Sequence, residues 1–284
     1  MPSLYIVSTP IGNLGDITQR AIEVLRSVDV ILAEDTRRTG MLLRHLGIEG
    51  RLISAHEHNE SARARLVAEL LAEGKDVALV SDAGTPLLSD PGARLVRSAI
   101  EAGFDVVPVP GASALLTALV ASGISADRFT FYGFLPRRGG ARDALLREIA
   151  RSRYTSVLYE APQRVAQLLE DLRVHAGEQR QVVLARELTK LHEEFLRAPL
   201  GEALWRVREI EPRGEYVVIV EGAAEDPEAA AGEAEAARTL ARALLSAGVS
   251  PSTAARELRE RLNIPRNEAY QLVQEIASGS ASDA

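Results

Sequence analysis

Five short runs carry side chains that donate, accept or stabilise a proton or a charge. They are Glu34-Asp35-Thr36-Arg37-Arg38, His56-Glu57-His58-Asn59-Glu60, Ser81-Asp82, Tyr159-Glu160-Ala161-Pro162-Gln163-Arg164 and Arg186-Glu187-Leu188-Thr189-Lys190. Carboxylates beside basic groups are the currency of general acid–base and electrostatic catalysis. Any one run could instead cap a helix, as Asp35 or Thr36 would for a helix running to Leu46; five at once point to one cleft. Lys190 stands out because Lys75 and Lys190 are the only lysines among 33 basic residues. A compact ammonium kept in so arginine-rich a chain suggests a position where a guanidinium would not serve.

Several familiar sites are absent. No Gly-x-Gly-x-x-Gly follows a strand, and Gly74-Lys75 is followed by Asp76, so neither a dinucleotide fingerprint nor a Walker loop is present. Gly111-Ala112-Ser113-Ala114-Leu115 places Leu115 where a nucleophile elbow needs glycine. His56-Glu57-His58 lacks the spacing of a helical zinc site, and with no cysteine there is no thiolate ligand, disulfide or thiol nucleophile. No metal is expected.

The positioning elements follow from the apolar pattern. Strands are predicted at Leu4–Ser8, Val30–Ala33, Leu52–Ala55, Val77–Ser81 and Val106–Pro110, with helical stretches between them. Three of them run into turns of small residues: Thr9-Pro10-Ile11-Gly12-Asn13, Asp82-Ala83-Gly84-Thr85-Pro86 and Gly111-Ala112-Ser113-Ala114. Ligands of open α/β sheets bind outside the carboxyl ends of the strands, so these turns sketch the rim of a pocket that holds a small organic cofactor mostly by backbone. Asp90-Pro91-Gly92 reads as a cap and a first-turn proline before a helix over Ala93–Ala102, and Ser61 as the start of a helix that Gly74 ends.

A second block has strands at Arg128–Phe134, Thr155–Glu160, Gln181–Ala185 and Tyr216–Glu221, and helices at Gly140–Ser152, Pro162–Ala176 and Leu200–Glu209. The expectation is α/β: a mostly parallel N-terminal sheet over 1–120, a mixed second sheet over 121–222 and a linker or frayed helix over 223–235. A small C-terminal helical unit over 236–278 and a disordered tail over 279–284 complete it. Helices at Ala236–Ser246, Pro251–Leu262 and Glu268–Ala277, with Leu258, Leu262, Tyr270, Val273 and Ile276 on one face, match helix-turn-helix geometry or a packing hairpin.

The 284 residues suffice for two cores, and 46% hydrophobic with 26% charged content is that of an ordinary globular chain. With no apolar run near membrane length and no leader-like start, the expected location is cytoplasmic. The net charge of −7 is against a simple basic nucleic-acid binder. Charge is uneven, however: 137–153 carries six arginines and two acids, whereas 221–237 carries six acids and no base. The arginines form either a phosphate-contacting patch or a solvated helix face.

Ser8-Thr9-Pro10-Ile11-Gly12-Asn13-Leu14-Gly15-Asp16, Ala33-Glu34-Asp35-Thr36-Arg37, Ser81-Asp82-Ala83-Gly84-Thr85-Pro86, Val109-Pro110-Gly111-Ala112-Ser113-Ala114, Phe131-Tyr132-Gly133-Phe134-Leu135-Pro136 and Tyr159-Glu160-Ala161-Pro162 resemble, in combination, the ribosomal-RNA methyltransferase branch of the tetrapyrrole-methylase superfamily. The resemblance covers about residues 3–222, and more weakly the helical tail. It implies two α/β domains with S-adenosyl-L-methionine in the cleft between them, and a homodimer. The implied reaction is 2′-O-methylation of a cytidine ribose in the decoding region of 16S rRNA, within the small ribosomal subunit. Ala161 and Gln163 stand where the branch carries serine and histidine, which weakens a chemical role for either.

On this reading the cofactor pocket comprises Pro10, Asp82, Ala83, Gly84, Leu88, Ser113, Ala114, Tyr159, Ala161 and Ala185. Lys190, Glu34, Asp35, Arg37 and Glu160 are the catalytic candidates. The alternatives are a methylase of a tetrapyrrole or other small substrate and a non-catalytic nucleic-acid module resting on the C-terminal helices.

Overall fold

Five short apolar runs build the first sheet: β1 (Ser3–Val7), β2 (Val30–Ala33), β3 (Leu52–Ser54), β4 (Val77–Val80) and β5 (Asp105–Val109). In the computed structural model they pair all-parallel in the order β3-β2-β4-β1-β5. Alternate residues of each strand face opposite sides. Leu4, Leu32 and Leu79 pack under α3 (Glu60–Ala72) and α4 (Ala93–Glu101), while Val7, Ile31 and Val80 pack under α1 (Gln19–Ser27) and α2 (Thr36–His45). A sheet buried on both faces needs apolar residues at every position, which is why β2 and β4 read as unbroken Val-Ile-Leu-Ala and Val-Ala-Leu-Val.

Beyond α5 (Ala114–Ser122) the second sheet comprises β6 (Phe129–Phe134), β7 (Thr155–Glu160), β8 (Gln181–Arg186), β9 (Glu194–Pro199) and β10 (Tyr216–Val220), in the order β6-β7-β10-β8-β9. Only β6 and β7 run parallel; the other neighbours are antiparallel. One face is covered by α6 (Gly140–Arg151), α7 (Pro162–Ala176) and α8 (Leu200–Arg208) through Leu146, Leu169 and Leu204. The other face takes Leu115, Ala118 and Leu119 of α5, so the helix that follows the last strand of the first sheet lies on the second. The fold is thus α/β with a parallel sheet and a mixed sheet; each has its own core, on which we base a proposed domain boundary near residue 120.

The structure describes residues 1–224, 227–262, 264 and 266–279, and both sheets belong to one unit, Met1–Ala223. The other unit, Ala224–Ala284, contains α9 (Pro227–Ser246), α10 (Pro251–Leu262) and α11 (Arg266–Gly279) around Ala241, Ala255, Leu258, Ala269 and Val273. No helix among the described residues is long and apolar enough to cross a membrane.

Several sequence expectations are corrected. β9 was not anticipated. α9 begins at Pro227, not Ala236, because an alanine- and glutamate-rich run favours helix even where charge suggests a linker. Leu262 and Tyr270 are exposed rather than on the apolar face, although Leu258, Val273 and Ile276 do pack inward. The helix expected from Ser61 starts at Glu60. Asp90 caps nothing: the N-cap of α4 is Gly92, and the side chain of Glu60 accepts the Gly92 and Arg94 N–H groups at 2.9 and 3.0 Å. The expected disordered tail lies, beyond Gly279, outside the described residues, as does Pro265 of the expected α10–α11 turn.

Candidate functional site

The three small-residue turns are tied to one another by hydrogen bonds. Thr9 and Gly84 donate to each other's carbonyl oxygens at 2.9 and 3.0 Å. The Thr85 hydroxyl donates to Ala112 O at 3.1 Å and lies 3.0 Å from the Ser8 hydroxyl, which joins the second turn to the first and third. Gly84 holds φ +80, and a Cβ there would come 3.1 Å from Ile11. At Gly111 a Cβ would come 2.8 Å from Ser8. Larger residues at these two positions would force the turns apart.

This rim opens onto a cavity of about 360 Å³ walled by both sheets, within the size range of small-molecule sites. The first sheet contributes Ile11, the loop from Ala83 to Thr85, the segment Leu88-Ser89-Asp90, and Ser113-Ala114; the second contributes Phe134, Tyr159–Pro162, Leu188 and Glu215–Val217. Tyr159 holds the junction: its hydroxyl accepts the Leu115 N–H of the first turn of α5 at 3.2 Å. Its ring packs edge-on to Phe131 and Phe134, with centroids 4.9 and 5.6 Å apart.

Of the residues expected to bind a cofactor, Ala83, Gly84, Leu88, Ser113, Ala114, Tyr159 and Ala161 line this cavity. Pro10 and Asp82 line a neighbouring depression of about 210 Å³ with Thr9, Leu14 and Arg38. Ala185 does not itself reach the cavity surface: it is fully buried in the apolar cluster beneath the wall, paired in register with the lining residue Val217 and so on the same face of the sheet.

Among the catalytic candidates, the structure brings only Glu160 to the cavity wall. Its side chain is buried, with Oε1 accepting the Ala161 N–H at 2.9 Å and facing Arg164 at 3.3 Å, while Oε2 has no partner. Burial pushes its carboxyl above the usual range despite both contacts. Asp35 is the N-cap of α2 and binds Arg37 through Nε and Nη2 at 3.0 and 2.6 Å. That pairing holds the Asp35 carboxyl well below its ordinary value, so it is spent as a base. Glu34 sits at the end of β2, where burial and then the charge of Asp82 raise its carboxyl.

Lys190 is brought not to the cavity but to two carboxylates, donating to Glu187 at 2.7 Å and Glu215 at 3.0 Å. Burial acts to lower its pKa, and those bonds overcome it, so the ammonium titrates above its ordinary value. A lysine raised in this way is suited to holding or stabilising negative charge, not to taking a proton. The loop it belongs to holds Glu187 and Thr189 at positive φ, and the Thr189 hydroxyl accepts the Asn13 N–H at 3.1 Å. Lys190 thus fastens the loop that presses against the first small-residue turn.

Asp90 is the functional candidate the sequence reading missed. It lines the cavity, and its carboxyl is raised to about 6, first by burial and next by Glu34; Ser81 hydrogen-bonds it and Asp82 adds repulsion. A signal existed: the loop from Ser81 to Gly92 far exceeds the roughly 2–6 residues that usually join strand to helix.

The arginines of 137–153 do not form one face. Arg142 is buried, donating through Nε and Nη2 to Asp171 at 3.0 and 2.8 Å and through Nη1 to Pro136 O. Arg147 pairs with Asp143 on α6. Arg137 and Arg138 are exposed, in the loop that leaves β6 after the lining residue Phe134.

Comparison with known proteins adds ancestry to this geometry. The family described as Tetrapyrrole (Corrin/Porphyrin) Methylases matches residues 3–204. A Synechocystis protein named ribosomal RNA small subunit methyltransferase I is 45% identical over 97% of this chain and 99% of its own length. A protein of the same name from Escherichia coli O157:H7 is 50% identical over 94% of this chain and 93% of its own. Among solved structures, the native form of uroporphyrin III C-methyl transferase from Thermus thermophilus superposes with a TM-score of 0.56 at 22% identity, over 77% of this chain and 97% of that one. Cobalt precorrin-4 methyltransferase, a cobalamin biosynthetic enzyme, gives 0.59 at 18% over 77% and 94%. These two likenesses concern the fold.

Proposed function

The chain belongs to the tetrapyrrole (corrin/porphyrin) methylase family, and from that premise we propose that it methylates RNA of the small ribosomal subunit, at the 2′-oxygen of a cytidine ribose in the decoding region of 16S rRNA. The observation that carries the reading is the 45% identity, over nearly the whole of both chains, to a protein named for that substrate class. The acceptor is proposed to be rRNA within the small subunit, the working form a homodimer and the location cytoplasmic.

S-Adenosyl-L-methionine, the family's cofactor, supplies an activated methyl on a positively charged sulfur. The cavity fits such a group on three counts. Gly84 puts bare backbone on the wall, where a Cβ would press on Ile11, the buried Ser113 hydroxyl on the wall has no partner, and Glu34 and Asp90 give this corner a negative field. Ala83, Gly84, Leu88, Ser113 and Ala114 would hold it, with Tyr159 and Ala161 closing the second side. The walls orient and desolvate the reactants, a contribution of up to about 7–11 kcal/mol in the best intramolecular cases. Arg137 and Arg138, beyond Phe134, would meet the phosphates of the RNA.

The test is mass spectrometry of nucleosides from 16S rRNA of subunits incubated with the protein and methyl-labelled cofactor. Label on a cytidine ribose supports the reading. Label on an added tetrapyrrole, with none on RNA, would favour the small-substrate alternative.

A further inference from the structure

We propose that Asp90 is the general base of the reaction, its carboxylate taking the proton of the acceptor hydroxyl. The proposal rests on the reading of the chain as a ribose methylase. Nothing in the sequence motifs selects Asp90; its placement does.

Asp90 lies in the wall of the cavity where the two sheets meet. Its loop is held in a constrained shape: Leu87 and Ser89 adopt φ +73 and +70, a region that side chains other than glycine rarely occupy. Ser89 seats against Gly133 of β6 so closely that a Cβ on that glycine would come 2.7 Å from its hydroxyl. Strain of this kind costs roughly 1–3 kcal/mol per residue and is retained where it aims a group. The capping work at the start of α4 falls to Glu60, so Asp90, contacted by Ser81, is not needed as a cap and faces the cavity.

Of the other carboxylates nearby, Glu34 does not line the cavity, and the rest each have at least one oxygen engaged, Glu160 through Oε1 alone. Asp82 accepts the Asp35 N–H at 2.9 Å and faces Arg38 at 3.6 Å. Asp35 is held by Arg37, Glu187 and Glu215 by Lys190, and Glu160 by Ala161 and Arg164. Two further atoms of the same wall point to a ligand: Ser113 Oγ and Glu160 Oε2 have no hydrogen-bond partner, in residues only 8% and 2% exposed. Buried polar atoms are rarely left unpaired, and a bound polar molecule would satisfy both.

The charged and titratable groups facing Asp90 are Glu34 and Asp82 from the first sheet and Tyr159 from the second. Arg38 and His56 stand beside Glu34, and Arg94 with Glu60 flanks the far end of the loop. Burial and this excess of acid make Asp90 a stronger base than an ordinary aspartate, yet one still ionised at neutral pH. As the acceptor oxygen bonds to the methyl carbon, the carbon–sulfur bond of the donor breaks with its electron pair left on sulfur. The hydroxyl proton passes to Asp90 and thence to solvent.

The test uses the full chain, small subunits lacking the modification, and Asp90→Asn and Asp90→Glu. Three readouts are taken: single-turnover transfer from saturating labelled S-adenosylmethionine at pH 5–9, calorimetric cofactor affinity, and thermal unfolding. The wild type should show an acid limb near pH 6; the expected result for Asp90→Asn is a rate loss of about 10²–10⁴-fold and disappearance of that limb. Cofactor affinity, to which the Asp90 charge contributes, should fall far less than the rate, with partial recovery and a shifted limb in Asp90→Glu. Transfer at the wild-type rate, an unmoved acid limb, or a loss of cofactor affinity as large as the loss of rate would overturn the assignment. So would a melting temperature for Asp90→Asn well below the wild type at pH 8, which would make the carboxylate structural. A wild-type chain that labels no ribose defeats the functional reading itself, and the base with it.

Discussion

Thr9 and Gly84 exchange both of their backbone hydrogen bonds, at 2.9 and 3.0 Å, and so lock the turns after β1 and β4 into a single rim. Gly84 combines that bond with φ +80 and with a place on the cavity wall. Gly84→Val should lower S-adenosylmethionine affinity by at least about 30-fold, because the side chain enters the cavity and strains a left-handed position. Gly84→Ala, whose Cβ would come 3.1 Å from Ile11 and 3.6 Å from Ala112 O, should lose less. Calorimetry on variants with native circular dichroism checks both, and undiminished affinity in the valine variant would remove Gly84 from the site.

Lys190 is expected to act on stability rather than on chemistry. Lys190→Ala should lower the melting temperature at pH 7.5 by about 2–4 °C, the equivalent of about 1 kcal/mol for a partly exposed pair. Since the folded-state pKa is raised, this contribution is complete below the lysine's ordinary value and fades as pH climbs through the folded value. The difference between the proteins should therefore shrink in strong alkali. Methyl-transfer rate should change less than about tenfold; a drop of 10²–10³ would restore the chemical role that composition suggested.

Two parts of the arginine-rich segment should behave oppositely. Arg142→Ala breaks a buried pair with Asp171 and should cost about 3 kcal/mol, or roughly 6–12 °C in melting temperature. The double change Arg137→Ala, Arg138→Ala should leave melting unaltered and reduce the slope of log affinity for rRNA against log salt by up to about 2. Binding titrations at several salt concentrations measure it; an unchanged slope would mean a solvated face.

Tyr159→Phe removes the acceptor of the Leu115 N–H and leaves that donor unsatisfied at the start of α5. A loss of about 1–3 kcal/mol in chemical denaturation is expected. A value near zero would show that the contact does not hold α5 to the second sheet.

Much of this was legible in the sequence because it is local. The strands of the first sheet announce themselves by apolar runs, three of which stop at turns of small residues, and α7 by its proline at the first position and Gly177 after its last residue. What escaped depends on partners distant in the chain. Asp90-Pro91-Gly92 has the form of a helix cap, but Glu60 supplies the capping oxygen from 32 residues upstream. Lys190 is held first by Glu187, three residues before it, and then by Glu215, 25 residues further on, which only the fold brings near. β9, an edge strand of sequence Glu-Phe-Leu-Arg-Ala-Pro, lacks the strict apolar–polar alternation by which a half-buried strand is read.

Nucleoside mass spectrometry of 16S rRNA, after incubation of small subunits with the protein and methyl-labelled S-adenosylmethionine, bears most directly on the whole account. The expected product is one labelled cytidine per 16S molecule with the methyl on the 2′-oxygen, formed by the wild type and slowed by Asp90→Asn. Label on a base rather than a ribose, or none on RNA at all, would contradict it.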